Sequence, residues 1–177
     1  GALDFGIQIY NRDKNKFLTL ENLGFDKKFE IKNPIRDIFE DAQKNIWIAT
    51  EGDAVFKLDL KNKKIKHYTT NSGLPSDAVY GIIQDKSNNY WFSTNKGIAT
   101  LKVKNDKFFT FNTFDGLPTN DFESGAIAIS SDGKLYFGSK KGLVSFYPDQ
   151  LDFPSTPINL LVTNFRIFNN TVDVNKP

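Results

Sequence analysis

The chain has few of the residues on which catalytic and metal sites are usually built. Among its 177 residues there is no cysteine and only one histidine, His67. The lack of cysteine excludes disulfides, thiolate nucleophiles and cysteine-ligated metals. A lone histidine leaves no second imidazole for a metal site, and no serine–histidine–aspartate arrangement is evident. We therefore expect no catalytic residue, no metal and no cofactor.

Long apolar runs and an excess of one charge are also missing. No stretch approaches the roughly 18 consecutive apolar residues of a membrane-spanning helix. The 23 Lys and Arg residues nearly balance the 21 Asp and Glu residues. Because these charges are scattered, no basic block can follow a phosphate backbone, and we expect no nucleic-acid partner. The overall composition is that of a globular chain with a sizeable core.

Aromatic residues are abundant, and three of them mark an internal repeat. The segments "NIWIAT", "NYWFST" and "KLYFGS" place Trp47, Trp91 and Tyr136 at spacings of 44 and 45 residues. Asp41 and Asp85 each lie six residues before a tryptophan, and a serine takes this position in the third copy. A fixed period of this length is typical of a repeat architecture.

Each copy of the repeat is predicted to form four short strands. The turns between them are rich in Asn, Asp, Gly and Lys, as in "DKSNN", "TNKG" and "KNDK". Such turns suit β-hairpins, and they interrupt any helical periodicity. Four strands in about 44 residues indicate a β-propeller blade. The sequence therefore predicts an all-β fold of four-stranded antiparallel blades.

The predicted organisation is a partial propeller followed by the beginning of another β domain. The propeller occupies residues 1–153, and residues 154–177 hold a linker and the first strands of the next domain. About three and a half blades are expected, at residues 5–20 (a half blade), 35–70, 79–113 and 124–148. Closed propellers have about 4–8 blades, so two apolar blade faces stay open. Excision from a longer propeller is our preferred explanation, and association of copies is the alternative.

The repeats resemble the two-component regulator propeller repeats of bacterial sensors. The resemblance rests on "GLP" at Gly73 to Pro75, followed by Val79, Ile82, Asp85 and Trp91. The first and third copies fit the same pattern less completely. The tail "PINLLVTNFRIFNNTV" resembles the entry strand of the immunoglobulin-like Y_Y_Y domain that follows such propellers.

This resemblance implies a non-enzymatic section of a hybrid two-component sensor histidine kinase. The expected location is the periplasm, as the extracytoplasmic part of an inner-membrane protein. Its expected partners are the rest of the sensor, an oligosaccharide ligand and, in the parent protein, a second copy. The phosphorelay itself would lie outside this chain, and the output would be expression of glycan-utilisation genes.

The repeated aromatic and acidic residues have a structural and a functional interpretation. Trp47, Trp91 and Tyr136 are expected to pack between blades, although a sugar-stacking platform is the alternative. Asp41 and Asp85 are expected to cap hairpin turns, although a glycosidase acid/base pair is the alternative. His67 is expected at the surface.

The best candidates for ligand contact precede the innermost strand of each blade. Loops on a rigid scaffold often carry function, and these segments offer a polar and aromatic mix that suits hydroxyl groups. Ordinary solvated turn chemistry is the competing interpretation. A protein-interaction or dimerisation scaffold and, less favoured, a propeller lyase or glycosidase are the alternative functions. The candidate ligand-binding residues are Arg36, Asp77, Tyr80, Asn120, Asp121 and Glu123.

Overall fold

The computed structural model describes residues 7–26, 29–153, 166–167 and 170–171, and these residues form β-strands joined by turns and short 3-10 segments. The innermost strand of each blade comes first in the chain and the outer strands follow. The strands are β1 (Ile9–Asn11), β2 (Lys16–Leu18), β3 (Ile35–Glu40), β4 (Ile46–Thr50), β5 (Val55–Asp59), β6 (Lys64–Tyr68), β7 (Val79–Gln84), β8 (Tyr90–Thr94), β9 (Gly97–Lys102), β10 (Lys107–Phe111), β11 (Phe122–Ile129), β12 (Leu135–Ser139), β13 (Gly142–Phe146), β14 (Arg166–Ile167) and β15 (Asn170–Thr171).

The strands form consecutive antiparallel sheets, as the repeat predicts. Blade 1 has the order β3-β4-β5-β6 and blade 2 the order β7-β8-β9-β10. Blade 3 pairs β11, β12 and β13, so it has three strands within the described residues. The pair β1-β2 forms a separate hairpin ahead of blade 1. The predicted all-β fold of four-stranded antiparallel blades is confirmed.

The predicted linker and following β domain lie largely outside the described residues. Of residues 154–177, only the short antiparallel pair β14-β15 is described. Residues 5 and 6 of the predicted half blade are outside as well. The division into domains therefore stays a prediction.

A buried tryptophan and a buried aspartate join each of the first two hairpins. Trp47 and Trp91 have no solvent exposure. The indole Nε1 of Trp47 donates to Asp41 Oδ2 at 2.8 Å, and that of Trp91 donates to Asp85 Oδ2 at 2.9 Å. The Oδ1 atom of each aspartate accepts two backbone N–H groups of its turn. These contacts confirm the packing role of the tryptophans and the capping role of the aspartates.

The third copy achieves the same turn with different residues. Ser130 replaces the aspartate, and its hydroxyl accepts the backbone N–H of Lys134 at 3.0 Å. The Tyr147 hydroxyl donates to Asp132 Oδ2 at 2.7 Å. Hydrogen bonds from the Ser130 and Tyr147 hydroxyls lower the pKa of Asp132 to about 2. The turn is therefore held by exposed polar groups instead of a buried indole–carboxylate pair.

The loop after the second strand of blade 1 is one residue longer than its counterpart in blade 2. Counting along the sequence puts Asp53 at the position of Gly97, but the hydrogen bonds put Ala54 there. The Thr50 hydroxyl donates to the carbonyl of Ala54, just as the Thr94 hydroxyl donates to that of Gly97. Ala54 has φ 53° and takes the left-handed conformation that glycine supplies in blade 2.

Adjacent blades pack through apolar side chains of opposite faces. Trp47 of blade 1 lies against Tyr90 of blade 2, with ring centroids 4.0 Å apart, and Phe92 contacts the same indole. A polar contact crosses this junction as well, since the Ile82 backbone N–H donates to Asp37 Oδ2 at 2.8 Å. Blades 1 and 2 therefore share one continuous core.

Two hydroxyl groups inside blade 2, Ser93 Oγ and Thr100 Oγ1, are buried without a hydrogen-bond partner in the described part of the chain. A buried unpaired hydroxyl costs about 1–3 kcal/mol. We expect Thr100→Val to raise the free energy of unfolding in urea by about 1 kcal/mol, because the shape is kept and the hydroxyl is lost. The control is Thr94→Val, which removes a hydroxyl bonded to the Gly97 carbonyl at 2.8 Å and should destabilise the protein. Equal losses from both substitutions would contradict this explanation.

Candidate functional site

Each inner strand carries an irregularity close to its first residue. In blade 1, Ile35 pairs with Thr50 but Asp37 pairs with Ala49, which leaves Arg36 as the extra residue of a β-bulge. Blade 2 repeats this irregularity, and Tyr80 is the extra residue. A bulge turns a side chain away from the regular pleat and often lies beside a binding site.

In blade 3 the irregularity is larger, because residues 123–126 together oppose Gly138. Glu123 opens this segment and lies 43 residues after Tyr80. The inner strands themselves are neighbours, since β7 packs against both β3 and β11. The structure therefore brings Arg36, Tyr80 and Glu123 to corresponding places at one end of three adjacent inner strands.

Four charged side chains near this end of the inner strands act on the pKa of Tyr80. Burial raises the pKa of the Tyr80 hydroxyl above its ordinary value. The carboxylates of Glu51 and Asp121, and more weakly that of Glu123, raise this pKa further. The positive charge of Arg36 acts in the opposite direction. Tyr80 of blade 2 therefore lies within electrostatic range of Arg36 and Glu51 of blade 1 and of Asp121 and Glu123 at the start of blade 3.

Most charged side chains in this group have an ion-pair or hydrogen-bond partner, and Asp121 differs from them. The Arg36 guanidinium donates to Glu51 Oε2 from Nε at 2.7 Å and also from Nη2. Lys140 lies 3.6 Å from Glu123 Oε1, but its side chain is largely exposed, and such pairs contribute little. The exposed Asp121 accepts no hydrogen bond among those described. We call Arg36, Glu51, Tyr80, Asp121 and Glu123 the bulge cluster.

The other two candidates, Asp77 and Asn120, hold the connections between blades. Asp77 Oδ1 accepts the backbone N–H of Thr70 at 2.8 Å, and Asn120 Oδ1 accepts that of Thr113 at 2.8 Å. Their backbone carbonyls also accept N–H groups from the loops of the preceding blade, including Gly97 N at 2.7 Å. Because these side-chain oxygens already accept backbone N–H groups, we leave Asp77 and Asn120 out of the proposed ligand contacts.

Sequence reasoning missed Glu51 as a member of the bulge cluster. Glu51 directly follows the second strand, and the inner strand begins at the same edge of an antiparallel sheet. A charged residue at that point is therefore close to the start of the inner strand. The bulges also leave a signal, because the apolar residues Val79 and Ile82 are three apart instead of two.

The described residues show no arrangement of three or more His, Cys, Asp or Glu side chains that could hold a metal ion. The single histidine is exposed, as predicted, and its Nε2 lies 2.7 Å from the carbonyl oxygen of Asp53. No helix in the described part of the chain is long and apolar enough to cross a membrane.

Blades of four antiparallel strands, repeated about every 44 residues and packed face to face, define a section of a β-propeller. The family model described as "Two component regulator propeller" matches residues 30–52 and 73–96. These two segments include the inner hairpins of blades 1 and 2. Residues 30–52 and 73–96 therefore match the two component regulator propeller repeat, the family that the sequence resemblance names.

Three known proteins place these repeats in context. The chain is 29% identical to Histidine kinase P4 of Formosa agariphila over 167 residues, or 93% of its length. It is 25% identical to the extracellular domain of a hybrid two component system of B. thetaiotaomicron, with a TM-score of 0.70 over 97% of the chain. A second such domain from that organism, 19% identical over 94% of the chain with a TM-score of 0.65, shares the fold.

The chain is much shorter than each of these proteins. It covers 12% of the histidine kinase and 24% of each of the two extracellular domains.

Proposed function

We propose that this chain is a section of the extracytoplasmic sensor domain of a hybrid two-component histidine kinase. The observation that carries the proposal is its similarity, over 97% of its length, to the extracellular domain of a hybrid two component system. The similarity to a histidine kinase over 93% of the chain supports the same conclusion. The chain itself is proposed to bind and transmit, while the kinase would supply the chemistry.

The proposed ligand is an oligosaccharide that contacts the bulge cluster. A tyrosine ring, a guanidinium and carboxylates from three blades offer both donors and acceptors for sugar hydroxyls. Arg36, Tyr80 and Glu123 are held on inner strands, and Glu51 and Asp121 directly adjoin strands, which favours a defined binding geometry. The cluster holds one positive and three negative side chains, so a neutral oligosaccharide suits it better than an acidic one.

Signalling would follow from a difference in affinity between two arrangements of the sensor. A ligand shifts such an equilibrium only as far as it binds one state more tightly. Contact with all three blades gives one ligand a means to favour a particular blade arrangement. In the proposed parent protein, a homodimer in the inner membrane would pass this change from the periplasm to the kinase and to glycan-utilisation genes.

Calorimetric titration with defined neutral, acidic and amino-sugar oligosaccharides tests this function. We expect binding of a neutral oligosaccharide, and we expect Asp121→Asn to weaken it at least about tenfold. The matched control is Asp13→Asn, which changes another exposed carboxylate, in the turn between β1 and β2. If the two variants bind the oligosaccharide with equal affinity, the binding site does not lie at the bulge cluster.

A protein-binding scaffold is the second candidate, and Phe114 favours it. This side chain is 98% exposed. Its turn is rigid, because Asn112 Oδ1 accepts the Phe114 N–H at 2.8 Å and Asp115 Oδ2 accepts the Asn112 N–H at 2.9 Å. An exposed aromatic ring on a fixed turn suits an interface anchor. If the folded protein binds no oligosaccharide of the panel, protein binding replaces oligosaccharide sensing as the proposed function.

A further inference from the structure

Side-chain hydrogen bonds cross the junction between blades 1 and 2 from its inner to its outer edge. Each joins a donor on one blade to an acceptor on the other, at 2.5–3.3 Å. Because hydrogen bonds are directional, they fix the position of blade 2 against blade 1. The donor–acceptor pairs are Ile82 N with Asp37 Oδ2, Tyr90 Oη with Asp41 Oδ2, Ala42 N with Gln84 Oε1, Lys66 Nζ with Asp106 Oδ2, and Tyr68 Oη with Asp106 Oδ1.

The junction between blades 2 and 3 has no counterpart of these bonds. One repeat later, the strand register places residues without a matching donor or acceptor at the same positions. Within the described residues, no side-chain hydrogen bond joins a strand of blade 2 to a strand of blade 3. These blades share an apolar cluster around Trp91 and Phe137 instead, and apolar contact has no preferred direction. The replacements are Asp37 by Gly81, Tyr90 by Leu135, Gln84 by Ile129, Lys66 by Phe109 and Tyr68 by Phe111.

Both of the buried hydroxyls without a hydrogen-bond partner among the described residues face blade 3. A Cβ added at Gly81 would lie 3.0 Å from Ser93 Oγ and 2.9 Å from Ile127 Cγ2, so this hydroxyl lies beside blade 3. Thr100 pairs with Trp91, whose ring belongs to the apolar cluster shared with blade 3. Unpaired buried hydroxyls disfavour the packed arrangement relative to one in which water reaches them.

Residues 147–153, which we call the strap, cross from the end of β13 back to blade 2. Phe153 of the strap lies against the outer strands of blade 2. Its ring centroid is 5.1 Å from that of Phe109 and 6.0 Å from that of Phe111, edge to face in both cases. The Lys102 ammonium lies 3.6 Å from the same centroid, in a cation–π contact. The strap is therefore attached to both blades, through the chain to blade 3 and through Phe153 to blade 2.

The strap covers one of the two unpaired hydroxyls. Thr100 stands between Trp91 and Phe109 in the strand ladder of blade 2. Phe153 contacts both of these rings, with its centroid 6.4 Å from that of Trp91 and 5.1 Å from that of Phe109. Thr100 has no solvent exposure beneath this cover. Lifting the strap would therefore bring the Thr100 hydroxyl into contact with water.

We propose that the junction between blades 2 and 3 is a movable joint and that the strap is the latch that holds it closed. When the strap lifts, blade 3 shifts against blade 2, while blades 1 and 2 move as one body. The bulge cluster spans this joint, because Tyr80 lies on blade 2 and Glu123 on blade 3. A ligand that bridges the two sides would favour one arrangement. This last step rests on the proposed function, whereas the joint and its latch do not.

Native-state labelling of single introduced cysteines tests the joint, because the chain has no cysteine of its own. Thr100→Cys places a thiol beneath the strap, and the control Val55→Cys places one in the core shared by blades 1 and 2. Both sites have no solvent exposure, and both substitutions replace a branched side chain by a thiol. We expect Thr100→Cys to react with a maleimide at least about tenfold faster than Val55→Cys under native conditions. In urea above the unfolding midpoint, the two thiols should react at the same rate.

Two further comparisons identify the latch and the missing hydrogen bonds as the cause. Phe153→Ala should speed the labelling of the Thr100→Cys thiol and leave that of the Val55→Cys thiol unchanged. Leu135→Tyr supplies a hydroxyl next to Asp85, as Tyr90 supplies one to Asp41, and it should slow the labelling relative to Leu135→Phe, which adds the ring alone.

Equal native labelling rates of Thr100→Cys and Val55→Cys would overturn the proposal, because global unfolding would then expose both thiols. So would a Thr100→Cys rate that Phe153→Ala does not change, or one that Leu135→Tyr slows no more than Leu135→Phe does. The unfolding free energy of each variant in urea shows whether lower global stability explains a faster rate. No ligand is added, so a failed oligosaccharide titration leaves this result unaffected.

Discussion

Replacing Asp41 by alanine is expected to lower the free energy of unfolding by about 3 kcal/mol. The Trp47 indole N–H and the Tyr90 hydroxyl both donate to Asp41 Oδ2, at 2.8 and 2.7 Å, and both groups are buried. The Trp47 indole would lose its acceptor, and the Tyr90 hydroxyl would keep only a long contact of 3.4 Å to Gln43 Oε1. A buried donor without a partner costs about 1–3 kcal/mol. Urea denaturation followed by tryptophan fluorescence measures the change, since the only two tryptophans lie in blades 1 and 2.

Asp85→Ala is the matched control for this substitution. Asp85 accepts the Trp91 indole N–H but no tyrosine hydroxyl, because Leu135 stands in blade 3 where Tyr90 stands in blade 2. The loss should therefore be smaller than for Asp41→Ala, by about the 1 kcal/mol of one hydrogen bond. When Asp41→Ala and Asp85→Ala are each made in a Tyr90→Phe background, the difference between their losses of unfolding free energy should largely disappear. If the two losses are equal, the bond across the blade junction contributes nothing.

The same carboxylate makes stability depend on pH. Burial alone would raise the pKa of Asp41, but hydrogen bonds from Trp47, Asn45 and Tyr90 outweigh it and lower the pKa below the ordinary value of 3.8. A lowered folded-state pKa gives stability that is complete above pH 3.8 and is lost as the pH falls through the folded-state pKa. We expect the stability gap between wild type and Asp41→Ala to be constant near neutral pH and to shrink below pH 3.8. If the stability difference between wild type and Asp41→Ala does not change in acid, the Asp41 carboxylate does not act as a charged acceptor.

Gly97→Ala is expected to destabilise the protein by about 3 kcal/mol or more. Gly97 has φ 114°, which is unfavourable for any side chain. An added Cβ would also overlap the backbone carbonyl oxygen of Phe111, which is held in the outer strand of the blade. Because the obstacle is main chain, it cannot move aside as a flexible side chain does. The free energy of unfolding in urea measures the loss.

Gly116→Ala separates the effect of backbone conformation from that of contact. Gly116 has φ 96°, and an added Cβ would meet no atom within 4 Å. Only the conformational penalty of about 1–2 kcal/mol should remain. If Gly97→Ala is no more harmful than Gly116→Ala, the close approach to Phe111 does not matter to stability.

The sequence by itself determined the repeat, the strand class and the turns, because these depend on local chemistry. Asp41 and Asp85 cap their own turns and bind an indole six residues away, so their role is contained in one short segment. The spacing of Trp47, Trp91 and Tyr136 reports the blade period directly. Such short-range contacts are readable without knowing which strands pair.

The tertiary structure alone decided which of the predicted ligand residues come together. Arg36, Tyr80 and Glu123 share one place because each lies in an irregularity of strand pairing, and pairing register is set by the partner strand. Asp77 and Asn120, although close to them in sequence, turn their oxygen atoms to the backbone of a connecting turn. Composition cannot distinguish these two outcomes. The distinction depends on hydrogen bonds between segments that the fold brings together.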